Sequence, residues 1–77
     1  MISAYVLVQA EVGKGASVGK EVAAIKQVRS ADVVTGPYDM IAFAEAENID
    51  ELSRLVVAKI QAVDGVTRTL TCPVIHF

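Results

Sequence analysis

The apolar and polar positions change period once within the first 29 residues. From Ser3 to Val12 they alternate, which indicates a β-strand whose second face, at Tyr5 and Leu7, is also partly apolar. After Gly13-Lys14-Gly15 the apolar residues recur at helical spacing, which predicts an amphipathic helix over Ala16 to Arg29. The chain therefore opens with a strand followed by a helix.

Two short strands joined by a tight loop come next. Ser30–Thr35 ends in β-branched residues, and Met40–Ala46 is an apolar run of strand length. Only Gly36-Pro37-Tyr38-Asp39 separates the two runs. This short connection predicts an antiparallel hairpin with a slightly enlarged loop.

A second helix and a fourth strand complete the pattern. Asn48, followed three residues later by Glu51, is typical of a helix N-cap, and an apolar stripe extends that helix to Asp64-Gly65. Val66–Cys72 then alternates as a strand, and Val74–Phe77 is a short apolar tail that can extend an edge.

The element order β-α-β-β-α-β is that of ferredoxin-like domains, an α+β fold. Right-handed crossovers place both helices on one face of a four-stranded antiparallel sheet. The other face is left open, with Tyr5, Leu7 and one parity of the third and fourth strands on it. Because so apolar a face exceeds what a soluble monomer usually exposes, we expect a second copy to cover it, as in a dimeric α/β barrel.

Composition sharpens this expectation. The chain has 77 residues, enough for one domain, and is 53% hydrophobic but only 5% aromatic. A chain of this size buries only about 60% of its unfolded surface, so some apolar surface should meet a partner. The net charge of −2 argues against nucleic-acid binding. The single Cys72 and the absence of an apolar run near 18 residues favour a cytoplasmic protein outside the membrane.

Two clusters of polar residues are candidates for ligand binding. The hairpin Gly36-Pro37-Tyr38-Asp39 can hold a small zwitterion through loop N–H groups and the Asp39 carboxylate, although the same residues also make an ordinary turn. Thr67, Thr69 and Thr71 supply hydroxyls along one strand. They are either plain strand formers or, if a partner covers them, groups that need a ligand.

No catalytic constellation accompanies these clusters. His76 stands alone beside the C-terminus, and Cys72 has no second thiol. Ser17 and Ser53 have no histidine placed to activate them. We therefore expect neither an enzyme, nor a metal site, nor a cofactor.

Three segments together resemble one family. Val34–Asp39, Asn48–Leu52 and Asp64–Thr71 resemble the effector-binding domain of the Lrp/AsnC transcriptional regulators, also called the regulation-of-amino-acid-metabolism domain. A Gly-x-Tyr-Asp hairpin followed at this distance by Gly-Val-x-x-Thr-x-Thr is the most specific part. The resemblance covers essentially the whole chain and implies that residues 1–77 form a single ligand-binding domain of this type.

The resemblance implies a small-molecule effector, typically an amino acid, and no cofactor. It implies that Gly36 and Tyr38 offer backbone N–H groups to the effector carboxylate, and that Asp39 pairs with its ammonium group. Thr69 and Thr71 would add hydroxyl contacts. The implied effector-binding set is Gly36, Tyr38, Asp39, Thr69 and Thr71.

The resemblance also implies assembly. Such domains form homodimers that pair sheet to sheet and join into tetramers, octamers or decamers, with the effector in a cleft where dimers meet. Full-length regulators carry a helix-turn-helix domain first, whereas here the effector domain begins at Met1. We therefore expect a stand-alone member that modulates full-length Lrp/AsnC regulators by mixed assembly, an excised domain being the alternative.

A rival hypothesis comes from a different class of protein. A small dimeric α/β-barrel enzyme, monooxygenase-like, shares the fold and the dimer, and fold alone does not imply function. Such an enzyme needs His, Asn or Trp inside a roomy pocket. This chain has no Trp, one terminal His and a single Asn48 at a helix cap.

Overall fold

A computed structural model describes residues 1–76 as one sheet covered by a layer of helices. The elements in chain order are β1 (Ile2–Ala10), α1 (Gly15–Ala23), β2 (Val28–Val33), β3 (Met40–Ala46), α2 (Ile49–Arg54) and β4 (Val66–Pro73). A π-helical stretch, Leu55–Ile60, continues α2. The four strands are antiparallel in the order β2-β3-β1-β4. The predicted ferredoxin-like α+β fold is confirmed.

The core lies between the helices and one face of the sheet. Inward positions alternate along β1 and β3, as their sequence pattern predicts. Four of these inward residues are alanines, which lets the helices approach the sheet closely. The buried residues are Ala4, Val6, Val8, Val18, Val22, Val28, Met40, Ala42, Ala44, Ala46, Leu52, Leu55, Val56 and Ile60.

The first helix is shorter than predicted. It ends at Ala23, and a turn closed by the Val28 N–H and the Ile25 carbonyl (3.0 Å) leads into β2. Val28 pairs with Ala44 in the sheet. The helical stripe predicted over Ala16 to Arg29 misplaced Val28 because an inward strand position also needs an apolar residue.

The second helix begins as predicted but changes its winding. The Glu51 N–H donates to Asn48 Oδ1 (2.9 Å), which confirms the N-cap. From Leu55 the backbone is π-helical, and the helical stretch ends at Ile60, before the predicted end at Asp64-Gly65. Side-chain spacing alone does not reveal a π turn, since it inserts one residue without changing the apolar character of the stripe.

The ends of β1 and β4 also differ slightly from prediction. β1 stops at Ala10 because the Glu11 N–H turns to the Gly65 carbonyl (2.8 Å). β4 runs through Pro73, and the Val74 N–H then donates to the Ser3 carbonyl (2.9 Å). Phe77, the last residue of the predicted tail, lies outside the described residues.

The turn after β1 holds an exposed ion pair. Lys14 Nζ donates to Asp64 Oδ2 at 3.0 Å and lies 3.6 Å from Glu11 Oε2. The hydrogen bond and charge of Asp64, with a smaller effect of Glu11, raise the pKa of Lys14 above the ordinary lysine value of 10.5. Any stability gained from this shift is fully present below pH 10.5 and is lost as the pH rises through the raised pKa.

The Lys14 titration is directly measurable. In Asp64→Asn we expect the pKa of Lys14, followed by NMR of its Nζ, to fall back toward 10.5, since the largest cause of the shift is removed. An unchanged pKa in that variant would show that Asp64 does not cause the shift.

The second face of the sheet is open, as predicted. Cross-strand pairing places six mainly apolar side chains on it, which we call the open face: Tyr5, Leu7, Ile41, Phe43, Leu70 and Cys72. Tyr5 and Leu70 are each 48% exposed, and the Tyr5 and Phe43 rings lie 5.0 Å apart. Among residues 1–76, no helix is long and apolar enough to span a membrane.

Candidate functional site

The predicted hairpin lies between β2 and β3, beside the end of β1. The Val34 N–H donates to the Asp39 carbonyl and the Asp39 N–H donates to the Val8 carbonyl, each at 2.9 Å. Gly36 adopts φ +141°, a conformation that side chains disfavour. These bonds fix a loop whose tip, from Thr35 to Pro37, stays exposed.

Asp39 is anchored by its side chain as well. Its Oδ2 accepts a hydrogen bond from the Ala10 N–H at 2.7 Å, although 29 positions separate the two residues. The bond uses one oxygen of the half-buried carboxylate, and the other oxygen has capacity for further donors. Asp39 therefore holds the hairpin against β1 and presents a negative charge there.

Gln9 links the hairpin to β4, a role that sequence reasoning missed. Its Nε2 donates to the Pro37 carbonyl (3.3 Å), and its Oε1 accepts from the Thr67 hydroxyl (3.3 Å). The only signal in the sequence is a polar residue on the parity that carries Tyr5 and Leu7. The bridge couples the loop position to the start of β4.

The threonines lie elsewhere on the sheet. Thr69 pairs with Val8 and Thr71 with Val6, so both face the helical side, at the sheet edge. Thr69 Oγ1 accepts from Gln61 Nε2 at 2.8 Å, in a polar cavity of about 360 Å³. Gln61 is a second contact that sequence reasoning missed.

Thr71 lines a separate, mostly apolar cavity of about 280 Å³ beneath α2. Neither this cavity nor the polar one is lined by Gly36, Tyr38 or Asp39. Within one chain, the structure therefore brings Gly36, Tyr38 and Asp39 together and keeps Thr69 and Thr71 apart from them.

The hairpin end of the sheet can recognise a small polar molecule. It combines the Asp39 carboxylate, the N–H groups of the loop and the side-chain amide of Gln9, which is hydrogen-bonded to that loop. Residues 1–76 contain no cluster of three His, Cys, Asp or Glu side chains suited to a metal ion. The groups present are those of hydrogen bonding and ion pairing.

Comparison with known proteins identifies relatives along almost the whole chain. The family described as the Lrp/AsnC ligand binding domain matches residues 3–76. An uncharacterized HTH-type transcriptional regulator of Pyrococcus horikoshii, PH0140, is 31% identical over 70 residues, which cover 91% of this chain and 44% of that protein. The chain thus spans about half the length of the curated relatives it matches.

Solved structures agree. TTHA0845 from Thermus thermophilus superposes with a TM-score of 0.93 at 32% identity, covering 100% of this chain and 96% of that one. The transcriptional regulator NMB0573 of Neisseria meningitidis, solved as a complex with L-Met, has the same fold (TM-score 0.85, 21% identity, 97% of this chain and 50% of that one). With its fold, its motifs and its relatives all in agreement, the chain belongs to the Lrp/AsnC family and corresponds to its ligand-binding domain.

Proposed function

We propose that this chain binds an amino acid and acts as the sensing part of an Lrp/AsnC-type regulatory assembly, without catalysis and without contacting DNA itself. The family match supports a regulatory, effector-binding role. The complex of the related NMB0573 with L-Met supports an amino acid as the class of ligand. The net charge of −2 is unfavourable for binding the phosphate backbone of DNA.

The anchored carboxylate of Asp39 is the observation that carries this proposal. A zwitterion needs an anion for its ammonium group and donors for its carboxylate, close together. Asp39 supplies the anion at a position fixed by Ala10, and Gly36 and Tyr38 lie beside it in the loop. Charge-assisted hydrogen bonds of this kind are about twice as strong as neutral ones.

Assembly completes the proposed site. Thr69 and Thr71 line cavities that Asp39 does not line, so we propose that they reach the same effector from a neighbouring copy. We propose that the open face pairs two chains and that such dimers join into a tetramer, octamer or decamer with effector sites between them. Full-length Lrp/AsnC regulators in the cytoplasm are the proposed partners.

An Asp39→Asn substitution tests the effector site. The amide keeps an oxygen for the Ala10 N–H but removes the negative charge, so the hairpin should stay in place while the ammonium contact weakens. We expect affinity for the best-bound amino acid to fall about tenfold or more. Isothermal titration calorimetry with a panel of proteinogenic amino acids, L-methionine included, measures this.

Asp50→Asn is the matched control, since Asp50 is an exposed residue of α2, on the helical side of the sheet and outside the hairpin, and the charge change is identical. It should bind like the unaltered protein. Equal affinity in Asp39→Asn and the unaltered protein would reduce Asp39 to a turn residue. No binding by any amino acid would refute the sensing role.

A further inference from the structure

A cavity on the helical side has no role in the site described above. It has a volume of about 290 Å³ and lies between the turn after α1 and the second helix, at the opposite end of β3 from the hairpin. Its volume is at the low end of the range for small-ligand pockets. The lining residues are Gln27, Glu51, Arg54, Leu55, Ala58 and Lys59.

Gln27, one of the lining residues, has a buried polar atom without a partner in the described part of the chain. Its side-chain Oε1 is buried and has no hydrogen-bond partner within residues 1–76. Buried polar atoms are nearly always paired, since an unpaired acceptor loses its water without compensation. The Gln27 backbone carbonyl accepts from the Glu45 N–H (3.0 Å), so the residue is held at this position and its amide oxygen calls for a donor.

The cavity also carries unneutralised positive charge. Within residues 1–76, no carboxylate lies within ion-pair distance of Arg54 or Lys59, whereas nearby Arg29 is paired with Glu45 at 2.7 Å. Glu51 is engaged in part, because its Oε2 accepts from the Glu47 N–H (3.3 Å). The two cations are therefore available to an anion.

The backbone around the cavity is unusual. Leu55, Ala58 and Lys59 belong to the π-helical stretch. A π turn is rare in proteins, and those that occur are frequently found at functional sites. Here Ala58 and Lys59 of the π-helical stretch line the same cavity as Arg54.

We propose that this cavity is a second small-molecule site, for a carboxylate that carries a hydroxyl or amino donor on the adjacent carbon. The ligand carboxylate pairs with Arg54 and Lys59, and a rotation of the Gln27 side chain brings the buried Oε1 to the ligand's donor. The arrangement uses none of the hairpin residues. It therefore stands independently of the proposed effector site at Asp39.

Three matched fragments test the proposal on the intact protein: L-lactate, with both groups, propionate, which lacks the hydroxyl, and lactamide, which lacks the carboxylate. Each is titrated while NMR follows the side-chain amide of Gln27 and the Nε–H of Arg54. We expect lactate to shift both signals saturably, and each of the other two fragments to bind at least about fivefold more weakly, because each loses one of the paired contacts.

Variants locate the site. Arg54→Gln and Gln27→Met should each weaken lactate binding at least about fivefold, and Lys20→Gln, a charge change on α1 outside this cavity, should leave it unchanged. Asp39→Asn should also leave it unchanged, which separates this site from the effector site. An equal response to all three fragments, the absence of any saturable shift, or undiminished lactate binding in Arg54→Gln would overturn the proposal and leave solvent as the occupant.

Discussion

Replacing Leu70 with aspartate should convert the proposed dimer into folded monomers. Leu70 lies on the open face between Leu7 and the outer edge of the sheet and is 48% exposed, so a charge there is tolerated in a single chain. In a sheet-to-sheet dimer the same carboxylate would be enclosed by apolar side chains. Burying an unpaired charge costs several kcal/mol of association free energy. We expect this cost to prevent dimer formation through an interface of ordinary size, which buries roughly 800 Å² per partner.

Sedimentation velocity at micromolar concentrations distinguishes the outcomes, with circular dichroism confirming that the chain stays folded. Val57→Asp is the matched control, because Val57 is 63% exposed but lies in the helical layer on the other side of the sheet. That variant should retain the sheet-to-sheet dimer. If Leu70→Asp sediments as the unaltered protein does, the open face is not where the copies meet.

Gly65→Ala should destabilise the fold by about 3 kcal/mol, the sum of backbone strain and overcrowding. Gly65 adopts φ +98°, which L side chains rarely tolerate. An added Cβ would lie 2.9 Å from Lys14 Cδ and 3.1 Å from Cγ2 of the buried Val18. For a domain of this size the loss corresponds to a drop in Tm of roughly 15 °C.

Alanine substitutions at two other glycines, measured by thermal or urea unfolding, separate the contribution of backbone strain from that of overcrowding. Gly13 has φ +84° but no atom within 4 Å of an added Cβ, so Gly13→Ala should show the backbone strain alone, about 1 kcal/mol. Gly15 lies at the first helical position, also with open space around it, and Gly15→Ala should be neutral or slightly stabilising. Equal losses at Gly65 and Gly13 would refute the crowding against Val18.

The predictable features of the fold are those that follow from the residue pattern within a single strand. Alternation along β1 and β3 assigns each residue to one face, so the core and the open face were both visible in the sequence. The end of α1 was not, because Val28 satisfies a helical stripe and an inward strand position equally well. The π turn changes winding without changing composition.

The candidate site was less predictable because it depends on contacts between distant segments. The bond from the Ala10 N–H to Asp39 joins positions 29 residues apart, and the bridge through Gln9 joins positions 28 and 58 residues apart. The side on which Thr69 and Thr71 lie is set by the register between β1 and β4, which includes an irregularity at Gln9 and Ala10. No local pattern specifies a register of that kind.

The alanines beneath the helices affect how the stability of the protein depends on its concentration. Ala4, Ala42, Ala44 and Ala46 bury little surface, whereas Tyr5, Leu7, Ile41 and Phe43 of the same two strands stand on the open face. In the proposed dimer, much of the hydrophobic free energy is therefore gained only when two chains meet. Folding and association then become linked by mass action, and resistance to heat rises with the amount of protein present. A cell that makes little of this chain would hold it in its least stable form.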